Sequence, residues 1–134
     1  MLRNLYLDID GVLLQKNGQP ANGLDEFIEF VTSKYECYWL TTHCKGDNAV
    51  VLHYLHGRVA AKAFNLIKKI RPTMWQTYKT EAINFKEKFI WLDDYIFEVE
   101  KETLKENNAL GSLKLLDLKT YPNQLYSVLQ TLKD

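Results

Sequence analysis

The chain has only two cysteines, three prolines and no excess of either charge, and each shortage removes a class of protein. Cys37 and Cys44 cannot build the disulfide framework of a small secreted domain, nor the paired ligand pattern of a zinc site. Cys37 lies inside an apolar run and reads as a core thiol, while Cys44, just past that run, reads as the more accessible one. Seventeen Lys and Arg balance seventeen Asp and Glu, so no global field draws the chain to nucleic acid or to an anionic membrane. No apolar stretch is long enough to cross a bilayer, and nothing resembling a signal peptide precedes the first apolar run. A cytoplasmic protein with no membrane partner is the expectation. There is no internal repeat and no low-complexity tract.

What is present is material for a core. A chain of 134 residues that is 46% hydrophobic fits one compact domain, residues 1–134. Apolar runs at 4–8, 36–41, 89–92 and 113–118 read as buried strands, with a further short strand expected at 66–70, in the least legible part of the chain. Residues 11–22, dotted with Gly11, Gly18 and Pro20, read as a small hairpin flap. A helix follows, with Asn22 as N-cap and Leu24, Phe27, Ile28 and Val31 at helical spacing. Asp47 is placed to cap another helix whose stripe is Val50, Val51, Tyr54 and Leu55, ending at Gly57. One or two helical turns are expected over 79–85. A helix over 96–107 should turn Val99 and Leu104 inward, and the last helix should start from Thr120 with Leu125, Val128, Leu129 and Leu132 inward.

Strands alternating with helices imply an α/β fold: a doubly wound, Rossmann-like parallel sheet of about five strands with helices on both faces. In such sheets the site lies at the carboxyl ends of the strands. Asp8 and Asp10 stand there, two residues apart after the first apolar run. Residues at that spacing project to one side of a strand, and Gly11 lets the backbone turn away. Taken alone they are equally a cation-binding pair or two solvated turn residues, since Asp and Gly are common where strands run out. Thr41 ends the second run and Asp93-Asp94 end the run at 89–92, so acids at two strand ends and a hydroxyl at a third supply the hard oxygen ligands that magnesium prefers.

At this point the chain resembles the haloacid dehalogenase superfamily, in its phosphatase-type members. Asp8-Ile9-Asp10-Gly11-Val12-Leu13 is similar to the first motif of that family, Trp39-Leu40-Thr41 to the second, Lys79 to the third, and Ile90-Trp91-Leu92-Asp93-Asp94 followed by Glu98 to the fourth. The motifs stand in the family's order over residues 8–98. The resemblance implies a magnesium-dependent phosphatase without a cap domain, because neither gap that holds a cap in the family has room for one here. It also implies roles. Asp8 is the nucleophile that forms an aspartyl-phosphate, and Asp10 is the general acid and base. Thr41 and Lys79 hold the phosphoryl oxygens. Asp8, the backbone carbonyl of Asp10, and Asp94 hold Mg2+, with Asp93 one step further out through a water.

Thr42 is a rival for Thr41, and Glu98 reads more simply as a solvated helix acid. His43, in the loop beside the site, reads as a substrate contact or, more simply, as an exposed loop histidine, and His53 and His56 read as surface residues. Trp75 and Tyr78 read as a substrate wall or as core packing. The uncapped arrangement points to a substrate whose phosphate protrudes, such as a macromolecule, or to a cap borrowed from a partner subunit. Two other classes share the fold: a receiver-like phosphoacceptor signalling domain, and a catalytically silent binding module. A receiver carries its lysine after its acidic pair, whereas here Lys79 precedes Asp93-Asp94.

Overall fold

The computed structural model describes residues 2–134. Four strands form one all-parallel sheet in the order β2-β1-β3-β4: β1 (Arg3–Leu7), β2 (Tyr35–Trp39), β3 (Phe89–Asp93) and β4 (Leu113–Leu115). The helices are α1 (Leu24–Lys34), α2 (Ala49–Leu55), α3 (Ala61–Ile67), α4 (Glu98–Glu106) and α5 (Gln124–Lys133). The expected α/β architecture with a parallel sheet is present.

Side chains along the strands alternate between two cores, as the pleat requires. Leu5, Leu7, Trp39, Ile90 and Leu92 join α1, α2, α3 and α5 in the larger core. Tyr6, Leu40, Phe89 and Trp91 pack with Leu104 of α4 and Ile83 in the smaller one. Burial on both faces explains why these strands are continuous apolar runs rather than alternating ones.

Several expectations need correction. The strand at 66–70 does not exist: α3 runs through Ile67, and Ile70 then plugs the larger core from a turn. A short apolar run fits a buried helix end as well as a strand. The sheet therefore has four strands, and the last is cut to Leu113–Leu115, an edge whose Leu115 is exposed. Val50 and Val99 face outward. Cys44 is fully buried, because its loop folds back and turns the thiol onto the Asp47 carbonyl at 3.3 Å. The N-cap positions are Gly23 for α1, Asn48 for α2 and Asn123 for α5; Asp47 still accepts a hydrogen bond from the Ala49 N–H at 2.8 Å. The hairpin over the flap is present, with Leu14 bridged antiparallel to Pro20. Among the described residues no helix is long and apolar enough to cross a membrane.

Sheet order fixes where the chemistry can sit. After β2 the chain crosses over β1 to lay down β3 on its other side, so the crevice opens between the carboxyl ends of β1 and β3. Asp8 and Asp93 occupy those two ends.

Candidate active site

A cleft of about 510 Å³ opens at this switch point, and Asp8, Asp10, Lys79, Asp93 and Asp94 all line it. Thr41, expected to hold a phosphoryl oxygen, does not line the cleft: it is fully buried, and its Oγ1 accepts a long hydrogen bond from the His43 N–H at 3.4 Å. Thr42, the exposed neighbour, lines the cleft instead.

The floor is buried and tightly held. Asp8 follows β1, and its Oδ1 accepts the Ile9 N–H at 2.8 Å. Lys79 enters from a short 3-10 turn, Lys79–Ala82, and places Nζ 2.7 Å from Asp93 Oδ2 and 3.3 Å from Asp8 Oδ2. Asp93 is 1% exposed and its Oδ1 accepts the backbone N–H groups of Asp94 and Tyr95. Burial, then the charge of Asp8 beside it, push the Asp93 carboxyl up to about 8 against the opposing pull of Lys79. Burial also works against the charge on Lys79, yet the two carboxylates outweigh it and raise the lysine. The floor thus holds on to its protons.

Glu100 is the residue that the sequence did not offer. The acid expected to follow the aspartate pair, Glu98, is exposed, while Glu100 is 2% exposed. Its Oε2 accepts the Lys79 N–H at 2.8 Å and its Oε1 accepts the Phe97 N–H at 2.9 Å. It therefore ties the segment carrying the lysine to the start of α4. The available signal was its place at the third position of a helix, where an acid reaches back to the N-cap N–H.

The wall is looser. Asp10 is held by His43 and Tyr54: the Tyr54 hydroxyl donates to Oδ1 at 2.7 Å, and His43 Nε2 lies 2.9 Å from Oδ2. Partial burial disfavours the charge on Asp10, but these hydrogen bonds outweigh it and hold the carboxyl below its ordinary range. Of the two readings of His43, substrate contact or exposed loop residue, neither describes this contact: the ring is held against Asp10. Lys16 reaches from the flap to Asp94 Oδ2 at 2.8 Å. Gly11 is required for two reasons: its φ is +84°, and a Cβ there would run into the Asp94 carboxylate.

The carboxylates of Asp8, Asp93 and Asp94 each offer an oxygen within 4.8 Å of the others. Hard oxygens in a cluster of that size suit Mg2+, and the cleft's five carboxyl groups exceed its three lysines. Trp75 and Phe97 line the cleft, with Lys45 Nζ 4.3 Å over the Trp75 ring. Tyr95 and Phe97 are exposed at its rim, edge to face at 5.2 Å. Tyr78 backs this rim 6.2 Å from Phe97 and does not itself line the cleft. No family model, curated protein or solved structure matches the chain, so a functional reading rests on motifs and geometry.

Proposed function

We propose that the chain is a magnesium-dependent phosphatase of the haloacid dehalogenase type, acting through an aspartyl-phosphate on Asp8. The observation that carries this reading is the convergence of Asp8, Asp93 and Asp94 within 4.8 Å at the switch point, with Lys79 Nζ bridging two of them. A fold needs no such buried cluster, because like charges in low dielectric oppose folding unless function or a cation compensates them.

Asp8, Asp94 and the Asp10 carbonyl would hold Mg2+, with Asp93 behind them. The ion supplies positive charge that lets one anion approach another. The Asp8 carboxylate attacks phosphorus as the bond to the ester oxygen breaks, and Asp10 gives that oxygen a proton. In the second step Asp10 takes a proton from water as its oxygen attacks phosphorus and the bond to Asp8 breaks, releasing phosphate. Asp10 stays ionised at rest, and the negative charge of an arriving ester favours its protonation. Lys79 neutralises phosphoryl oxygens from the floor, and Thr42 offers them a hydroxyl from the rim.

Support for an uncapped site comes from α2 and α3, which fill the stretch between Thr41 and Lys79 and bury Val51, Leu55 and Ile67 in the larger core. The exposed rim of Tyr95 and Phe97 would then meet the body of a large substrate whose phosphate protrudes. Phosphate release from p-nitrophenyl phosphate should require magnesium and fall at least about a thousandfold in Asp8→Asn. Activity that survives the substitution removes Asp8 from the mechanism. Acetyl phosphate separates the receiver-like alternative, which would accumulate a long-lived phosphoprotein rather than turn over.

A further inference from the structure

Asp10 is gripped far more firmly than a turn residue needs. Its two carboxyl oxygens are each engaged, by Tyr54 of α2 and by His43 of the loop after β2. The two rings stack on one another, 4.0 Å between centroids and 15° from parallel. Arg58 covers the Tyr54 ring at 4.7 Å and donates from Nε to the Tyr54 carbonyl at 2.9 Å. An aspartate at a strand end has several staggered side-chain wells open to it. A stacked pair with one donor for each oxygen selects a single well while leaving Asp10 on the cleft lining.

We propose that His43 and Tyr54 are positioning residues that fix the Asp10 carboxyl for proton exchange with the leaving group and with water; this rests on the phosphatase reading above. In the first half-reaction the bond from phosphorus to the ester oxygen breaks, its electron pair stays on that oxygen, and the Asp10 proton joins it. In the second, a water proton restores Asp10 while the water oxygen bonds to phosphorus. A well-placed acid matters most when the departing oxygen is strongly basic. An alkoxide needs the proton; p-nitrophenolate leaves without it.

The test compares kcat/KM, which reports transfer to Asp8 and not the later hydrolysis common to both esters, on p-nitrophenyl phosphate and on an alkyl phosphate such as glycerol phosphate for wild type, Tyr54→Phe, His43→Ala and His43→Gln. Tyr54→Phe keeps the stacked ring and removes only the hydroxyl. It should lower kcat/KM for the alkyl ester by roughly tenfold more than for the aryl ester. His43→Ala should do the same, and His43→Gln, which keeps an N–H donor near the position of Nε2, should recover most of the loss. Magnesium affinity, measured by calorimetry, should stay at the wild-type value in all three. Equal losses on both esters, or none, overturn the inference while leaving the phosphatase reading in place. A wild-type protein inactive on both esters overturns the two together. Should Tyr54→Phe melt far below wild type, the His43 pair of variants, in a loop, decides alone.

Discussion

Two lysine–aspartate pairs stand one residue apart at the end of β3. Lys79 reaches Asp93 at 2.7 Å and Lys16 reaches Asp94 at 2.8 Å. Their lengths are nearly equal and their surroundings are not. The side chains of the first pair are 13% and 1% exposed, those of the second 73% and 20%. Coulomb attraction at a fixed distance grows as water is removed, and so does the desolvation penalty for each charge. The buried pair must therefore stand or fall together, whereas the exposed pair is screened and replaceable. Distance alone would have called them equivalent.

The largest effect should come from breaking the buried pair. In Lys79→Met the floor keeps Asp8 and Asp93 facing one another without a counter-charge, and phosphate release should drop by roughly a hundredfold or more. Stability should fall by about 3 kcal/mol at pH 8, measured by urea unfolding in the presence of a chelator. The loss should be smaller at pH 5, where Asp93, pushed up to about 8, already carries its proton in the folded protein and Asp8 faces a neutral carboxyl. A variant as stable as wild type at both pH values would mean that the floor is solvated and that burial does not separate the two pairs.

A second effect isolates Asp93. Unfolded, its carboxyl titrates near its ordinary value of 3.8; folded, it is pushed up to about 8. Between those values the folded protein holds a proton that the unfolded chain has released. The stability linked to that proton is complete below about 4 and is lost as pH rises through about 8. In chelator-treated protein the unfolding free energy of wild type minus that of Asp93→Asn should therefore decline across this window. Added magnesium should stabilise wild type most at the alkaline end, since ligation competes with protonation. Parallel curves for the two proteins from pH 4 to 8 would remove the shifted carboxyl from the account.

The floor was legible in the sequence and the wall was not, for a physical reason. Asp8, Asp93 and Asp94 interrupt continuous apolar runs, and charge at the end of a strand buried on both faces has few explanations. Which strand ends meet follows from the parallel architecture. By contrast, His43 and Tyr54 reach Asp10 from a loop and a helix whose relative placement depends on how α2 docks, and no local spacing encodes that. Tyr54 does belong to the inward stripe of its helix, but the stripe could not say that its hydroxyl would end on a carboxylate. Glu100 was hidden behind Glu98 because helix phase near an N-terminus shifts with a boundary error of one or two residues. The error at 66–70 had the same root: Leu66 to Ile70 carry enough apolar surface for a strand, and only the packing of α3 on α1 decides otherwise.

The exposed pair gives the smallest effect and the sharpest contrast. Lys16→Ala removes a contact as short as the buried one, yet stability should change by less than about 0.5 kcal/mol, and by less still in added salt. Its ammonium nevertheless sits on the Asp94 carboxylate, a group that a cation would share with Asp8. A positive charge there competes with a divalent ion for the same ligand, so its removal should tighten magnesium binding several-fold while leaving the fold untouched. Calorimetric titration of wild type and Lys16→Ala with Mg2+ measures this directly. A variant with weaker binding would mean that Lys16 props the Asp94 carboxylate in place rather than opposing the ion. Lys16 would then share with Lys79 the task of organising the site.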